Sequence, residues 1–225
     1  MTDVHVLHVF TDEQGDFGDI ATIIFDEGRT TPDDDRQEIA RDLEAVETAF
    51  VNDAAAHQVS FVHSRGEIAF AGVPALGVAW LLGQREGKPI SRLESRGGEI
   101  TVSHEDGLTW VRTSLNTMPP WNHVQYTDAS TIDQISLSET ADLAHTMVWA
   151  WIDETGGSIR ARTFAADWEI PEAMGNGSGA MLLAAFLGRV IEIRHGEGSI
   201  IYARPAGDGF AGIGGRVVKG ASIAV

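Results

Sequence analysis

Apolar and polar positions alternate from Val4 to Phe10, with Val4 and Val6 on one side and Leu7 and Val9 on the other. That period of two predicts a first strand. A turn rich in Gly and Asp separates it from a second strand, Ala21–Phe25. Thr31-Pro32-Asp33-Asp34-Asp35 then opens a helix through Ile39 and Leu43, with Thr31 as N-cap, Pro32 at the first helical position and three aspartates at the positive end of the dipole. Strands are expected over Val46–Val51, Val59–Val62, Ile100–Val102 and Leu108–Thr113, and a helix over Pro74–Leu82 closed by Gly83. Asn116–Asn122, with paired prolines at 119 and 120, reads as a crossover. Ser138–Ile152 reads as mainly helical, with Met147, Val148 and Trp151 as its buried face. Beyond it come a strand over Ile159–Phe164, a loop at Gly175–Gly179 and a helix over Ala180–Leu187 closed by Gly188. Strands near Val190–Ile193, Ser199–Ala203 and Arg216–Val218 finish the pattern.

Two of these segments match each other. Gly72-Val-Pro-Ala-Leu-Gly-Val-Ala-Trp-Leu-Leu-Gly83 aligns with Gly177-Ser-Gly-Ala-Met-Leu-Leu-Ala-Ala-Phe-Leu-Gly188, sharing the first Gly, the pairs Ala75/Ala180, Ala79/Ala184 and Leu82/Leu187, and the last Gly. The register continues weakly, with Gly98-Glu-Ile100 against Gly198-Ser-Ile200. An internal duplication is therefore expected, with an N-terminal lobe over 1–115 and a C-terminal lobe over 116–225, the last strand able to return to the first lobe. Both helices are apolar almost all round, so each should lie buried against its own sheet. Each starts just after a glycine with backbone N–H groups that have no intrahelical acceptor. Two such starts facing one cleft would bind an anion, most simply a substrate carboxylate. The glycines at 72, 175, 177 and 179 and Ser178 either admit that ligand or only serve the turns; sequence leaves both open.

Composition narrows the chemistry. The chain has 225 residues, 43% of them hydrophobic, enough for a substantial core. It has no cysteine, which excludes disulfides, thiolate metal sites and thiol catalysis. A net charge of −17 and no concentrated Lys/Arg run argue against nucleic acid and anionic membranes as partners. The first residues carry neither a basic nor an apolar signal-peptide region, and Ala180–Leu187 is too short to span a bilayer, so a cytoplasmic protein is expected. No metal or cofactor is expected. His5 and His8 lie on a strand and His195-Gly-Glu197 in a loop, without ligand company. Ser178 lacks the Gly-x-Ser-x-Gly elbow, and Gly212-Ile-Gly-Gly215 lacks the third glycine of a dinucleotide loop.

Phe10-Thr11, the turn centred on Gly18, Ala21–Phe25, Glu47-Thr48-Ala49-Phe50-Val51, Phe70-Ala71-Gly72 and Asn176-Gly177-Ser178 stand in the order and spacing of the PhzF-like phenazine-biosynthesis isomerases. The chain resembles that family over nearly its whole length, most specifically at Glu47–Val51. The resemblance implies an α+β fold of the diaminopimelate epimerase kind: two pseudo-symmetric lobes, each a rolled, mostly antiparallel sheet around a central helix. It also implies cofactor-free chemistry in which a glutamate, here Glu47, carries a proton between two carbons of a dihydro-aromatic acid, and for this chain a small carboxylated metabolite as substrate. The substrate-binding set it implies is Gly18, Asp19, Gly72, Val73, Asn176, Gly177, Ser178 and Gly179. Departures are equally specific. The family's Cys-Gly-His is Ala71-Gly72-Val73, its Gly-Gly-Asn is Phe17-Gly18-Asp19, and its acid and proline before Thr-Gly-Ser are Ala173 and Met174. Asp19 or Glu172 stands as a substitute acid. Two functions follow from this balance: an isomerase or epimerase with Glu47 as acid/base, or a catalytically lapsed relative that binds a small anion or a partner subunit. A homodimer is a further expectation, from sheet edges and tryptophans.

Overall fold

The computed structural model describes residues 3–43, 45–63 and 65–220, and the backbone of 223–224. The first half runs β1 (Asp3–Thr11), β2 (Asp19–Phe25), α1 (Asp33–Asp42), β3 (Glu47–Asp53), β4 (Gln58–His63), β5 (Gly66–Ile68), α2 (Gly72–Glu86), β6 (Arg92–Ser95), β7 (Gly98–Glu105) and β8 (Leu108–Ser114). The second runs β9 (Asn122–Gln125), α3 (Ala129–Gln134), β10 (Thr146–Asp153), β11 (Ser158–Ala165), β12 (Ile170–Ala173), α4 (Gly177–Leu187), β13 (Ile191–His195), β14 (Ser199–Pro205), β15 (Phe210–Lys219) and β16 (Ile223–Ala224). All strands belong to one continuous sheet. Strands β1, β2, β3, β4, β6, β7, β8 and β15 follow one another in it, and β15 pairs back onto β1, closing a barrel. Its axis is filled by α2, which is buried from Gly72 to Ala79. From the other edge of β15 the sheet continues through β14, β13, β11, β10 and β9, and α4 packs across β14 and β15. Most neighbours are antiparallel; β2–β3, β4–β6, β11–β13 and β9–β10 are parallel. This is the expected α+β arrangement of rolled sheets around central helices.

The two matched helices form where the pattern places them, for local reasons. In α2, Pro74 lies in the first turn, where its missing N–H removes a donor that has no acceptor. The helix does not stop at Gly83 but runs to Glu86, and Gly87 ends it in the left-handed conformation with φ 68°. Gly188 ends α4 the same way, at φ 65°. That helix begins at Gly177 inside the expected loop, with Asn176 as N-cap: its side chain accepts from Gly179 N–H at 2.8 Å. The start of α1 also differs from expectation. Pro32 is the N-cap, not the first helical residue. The carboxylate of Asp26 gathers Thr30 N–H, Thr30 hydroxyl and the fully buried Arg36, and fixes the turn in place of Thr31.

The largest correction concerns Ser138–Ile152. Residues 146–153 form β10, a strand, not a helix. Met147 and Trp149 point into the main core, while Val148 and Ala150 join Ile132 and Phe164 under α3. Both faces are covered, so the alternation that marks a half-exposed strand is erased. Among the described residues no helix is long and apolar enough to cross a membrane.

Candidate active site

The starts of α2 and α4 abut. A Cβ placed on Gly72 would lie 3.1 Å from Gly177 Cα, and one on Gly177 would lie 3.2 Å from Gly72 Cα. Two backbones approach this closely only if both residues lack a side chain. The contact leaves the first-turn N–H groups of Gly72, Val73, Gly177 and Ser178 at one place, beside a cavity of about 330 Å³.

The opposite side of that cavity is supplied by β2 and β3. These strands are parallel, with Thr22 beside Thr48, so Ala21 neighbours Glu47 and Asp19 lies two residues earlier on the same face. Asp19 and Glu47 are each the first residue of their strand, and both line the cavity. Asp19 is fixed: its carboxylate accepts Ile20 N–H at 2.8 Å and the backbone N–H of Gly175. Gly175 is closely packed here: a Cβ would stand 3.0 Å from the Phe10 ring and 3.3 Å from Asp19 Oδ2, and both side chains would have to give way to it. Burial pushes Asp19 up to about 6, against the two N–H bonds that favour its charge. Glu47 is raised to about 8, first by burial and then by the neighbouring charge of Asp19. One wall thus presents a carboxyl that is largely neutral at pH 7 beside one that is largely ionised.

Of the residues singled out from sequence, Asp19, Glu47, Gly72, Val73, Asn176, Gly177 and Ser178 line this one cavity. Gly18 and Gly179 do not. Gly18 serves the β1–β2 turn: its φ is 84°, and a Cβ would meet Val9 O at 2.8 Å. Gly179 donates its N–H to the cap and packs on the Asn176 side chain. Glu172 is no substitute acid, being held by Arg162 through paired 2.7 Å hydrogen bonds.

Sequence reading missed His195, placed in a loop but in fact the last residue of β13 and fully buried. Met174 O, 3.2 Å from Nδ1, can only accept, so Nδ1 carries the proton and Nε2 accepts the Thr163 hydroxyl at 2.8 Å. Thr163 in turn accepts Asn176 Nδ2 at 3.2 Å, and Asn176 Oδ1 takes Gly179 N–H and the Ser178 hydroxyl. Ser178 Oγ accepts Trp121 Nε1–H at 2.8 Å. Every link has one permitted direction, and the chain orients the start of α4. Burial drives His195 down to about 4, so it stays neutral and the directions hold. The inward spacing Ile191, Ile193, His195 along β13 was the available signal.

Trp121 and Trp168 line the cavity and join a cluster of aromatic rings. Between ring centroids, Trp168 stands 4.3 Å from His145 and 5.0 Å from His63, and Trp121 lies 5.0 Å from His145; Arg65 Nη2 reaches across to Asp167 O at 2.6 Å. Among the described residues no group of three or more His, Asp or Glu is placed to hold a metal ion.

The helix-filled rolled sheet has counterparts among solved structures. A PhzF-family phenazine biosynthesis protein from Enterococcus faecalis superposes with TM-score 0.79 at 17% identity, over 98% of this chain and 97% of its own. A predicted epimerase from Pseudomonas aeruginosa gives TM-score 0.71 at 20% identity, over 100% and 99%. A hydroxyproline epimerase from Agrobacterium vitis gives 0.61 at 12% identity, over 99% and 91%. The fold is that of the diaminopimelate epimerase-like isomerases and epimerases. Within it, the model of the phenazine biosynthesis-like (PhzC-PhzF) family matches residues 7–155, and the chain belongs to that family.

Proposed function

We propose that this protein is a cofactor-independent isomerase that moves a proton between carbons of a small carboxylated metabolite. The observation that carries the reading is the placement of Glu47, poised near neutrality, in the same cavity as both helix starts. The N–H groups of Gly72, Val73, Gly177 and Ser178 hold the substrate carboxylate, aided by both dipoles. This fixes a neighbouring C–H against Glu47. The carboxylate form of Glu47 takes that proton, the electron pair passes into the conjugated acid, and the resulting carboxylic acid returns the proton to another carbon. No electron is gained or lost overall. A pKa near 8 keeps both forms of Glu47 accessible at neutral pH, which proton transfer in both directions requires. Asp19 and Glu47 lie on one wall, so proton delivery is from one side of the ligand.

Among the described residues that line the cavity only Asp19 and Glu47 are titratable; Ala173, Asn176 and Ser178 are not. That favours, as the second reading, a relative that binds the ligand without turnover. Incubation in deuterium oxide with cyclic and amino-acid carboxylates separates the two. Deuterium entering carbon in the wild type and lost in Glu47→Gln supports the isomerase; exchange unchanged in that variant rejects Glu47. Binding with no exchange leaves the second reading.

A further inference from the structure

We infer that His195, which lies outside the cavity, is the positioning residue of the site: one ring nitrogen aims the backbone N–H that holds Asp19, and the other fixes the cap at the start of α4. The inference rests on the reading of Asp19 and Glu47 as the acid wall and of the helix starts as the anion cradle, and adds what aligns the two.

The first arm runs through a single peptide unit. His195 Nδ1–H donates to Met174 O at 3.2 Å. In a trans peptide the C=O and the N–H that follows it point in opposite directions. With the Met174 carbonyl turned to His195, the Gly175 N–H of the same plane is turned away from it, and that N–H is the one the Asp19 carboxylate accepts. Asp19 opens β2 and shares the cavity with Glu47. A buried ring in the second half of the chain thereby holds a carboxylate of the first.

The second arm decides the orientation of an amide. Asn176 carries a donor at one end and an acceptor at the other, and nothing local chooses which end caps α4. With Nδ2 turned to the helix, donor would meet donor at Gly179 N–H, and the cap would be lost. Thr163 makes the choice. Its hydroxyl proton is committed to His195 Nε2 at 2.8 Å, so it offers Asn176 a lone pair, which takes Nδ2 at 3.2 Å. Oδ1 is left facing Gly179 N–H at 2.8 Å. Thr163 and His195 are both fully buried, so bulk water does not replace the imidazole lone pair. The same Oδ1 takes the Ser178 hydroxyl, and Ser178 Oγ takes the indole N–H of Trp121, a ring that lines the cavity. Serving both arms demands a side chain that donates on one side and accepts on the other. Neutral imidazole does this and a Gln amide can; Leu fills the volume and does neither.

Amide hydrogen exchange read by NMR at Gly175 and Gly179 tests this without a ligand, with the amides of α2 as the measure of overall stability. His195→Leu should speed exchange at both glycines about fivefold or more beyond any change in α2, the scale of a lost cap bond. His195→Gln should restore both. Thr163→Val cuts only the second arm, so Gly179 should loosen while Gly175 stays protected; this variant decides the matter if His195→Leu does not fold. Acetate, titrated against the same amides, should bind about fivefold more weakly to His195→Leu than to His195→Gln. The inference is overturned if Gly175 and Gly179 move only in step with α2 in His195→Leu, or if His195→Gln protects them no better. Thr163→Val that leaves Gly179 protected, or loosens both glycines alike, overturns it too, as does acetate bound equally by His195→Leu and the wild type. A wild type that ignores acetate rejects the anion cradle instead, and exchange alone then decides the role of His195.

Discussion

Glu47→Gln should make the protein more stable, by an amount that depends on pH. In the folded chain the carboxyl titrates at about 8, against 4.5 for an unperturbed glutamate. A raised carboxyl means the folded state keeps a proton that the unfolded state has released. Stability from this group is therefore complete below pH 4.5, falls as pH rises, and reaches its floor above about 8. The slope is about 1.4 kcal/mol per pH unit, so at pH 7 the penalty is at most about 3 kcal/mol. Glu47 borders an open cavity and is only partly buried, and solvent relaxation reduces that ceiling to about 1.5 kcal/mol. For a chain of this size that is a rise in Tm of about 3–6 °C. Gln keeps the shape of the protonated acid and removes the titration. Thermal melts of both proteins from pH 4 to 9 should show curves that meet at the acid end and diverge steadily to pH 8. A constant difference across that range, or a variant less stable at pH 7, would refute the burial argument for Glu47.

His195 has the opposite sign. Its folded pKa of about 4 lies below the ordinary 6.5, so the unfolded state takes the proton first and stability is lost as pH falls from 6.5 toward 4. His195→Leu should remove that slope and also cost about 1–3 kcal/mol at pH 7 by orphaning Met174 O and the Thr163 hydroxyl, read by urea titration. Gly177→Ala should cost about 1–3 kcal/mol by the same method, since the new methyl meets the Gly72 backbone as well as the movable end of Ile213. It should also weaken carboxylate binding by parting the helix starts.

Much of this architecture is written in local patterns. The helices α2 and α4 are legible because each is an apolar run opened and closed by glycine, and because turning at Gly188 needs a left-handed residue. The helix starts are legible from the internal repeat, whereas Glu47 is reached only through the resemblance; nothing in the composition around it marks it as more than a solvated strand residue. What sequence concealed has a common cause. Strand β10 is covered on both faces, so Thr146–Ala150 carries no period. Gly83 is not the stop the apolar run suggests; the helix continues through Gln84-Arg85-Glu86, where Glu86 is engaged by His57 at 2.6 Å. His195 was hidden because its role is transmitted through Thr163 to Asn176, a path that only tertiary contact creates.

The strand β15 has a consequence for the order in which the molecule can be built. It is the stave that β1 and β8 share, and the same strand carries β14 and the rest of the sheet beyond it. A nascent chain that has emerged only as far as β8 holds seven of the barrel strands and the greasy α2, but has nothing to seal the gap between β1 and β8. Closure must await residues 210–219, after the second half has passed through the ribosome. Contacts so distant in sequence make folding slow and leave open sheet edges exposed meanwhile. Synthesis rate and chaperone access, more than the final free energy, should then decide how much of this protein a cell recovers intact.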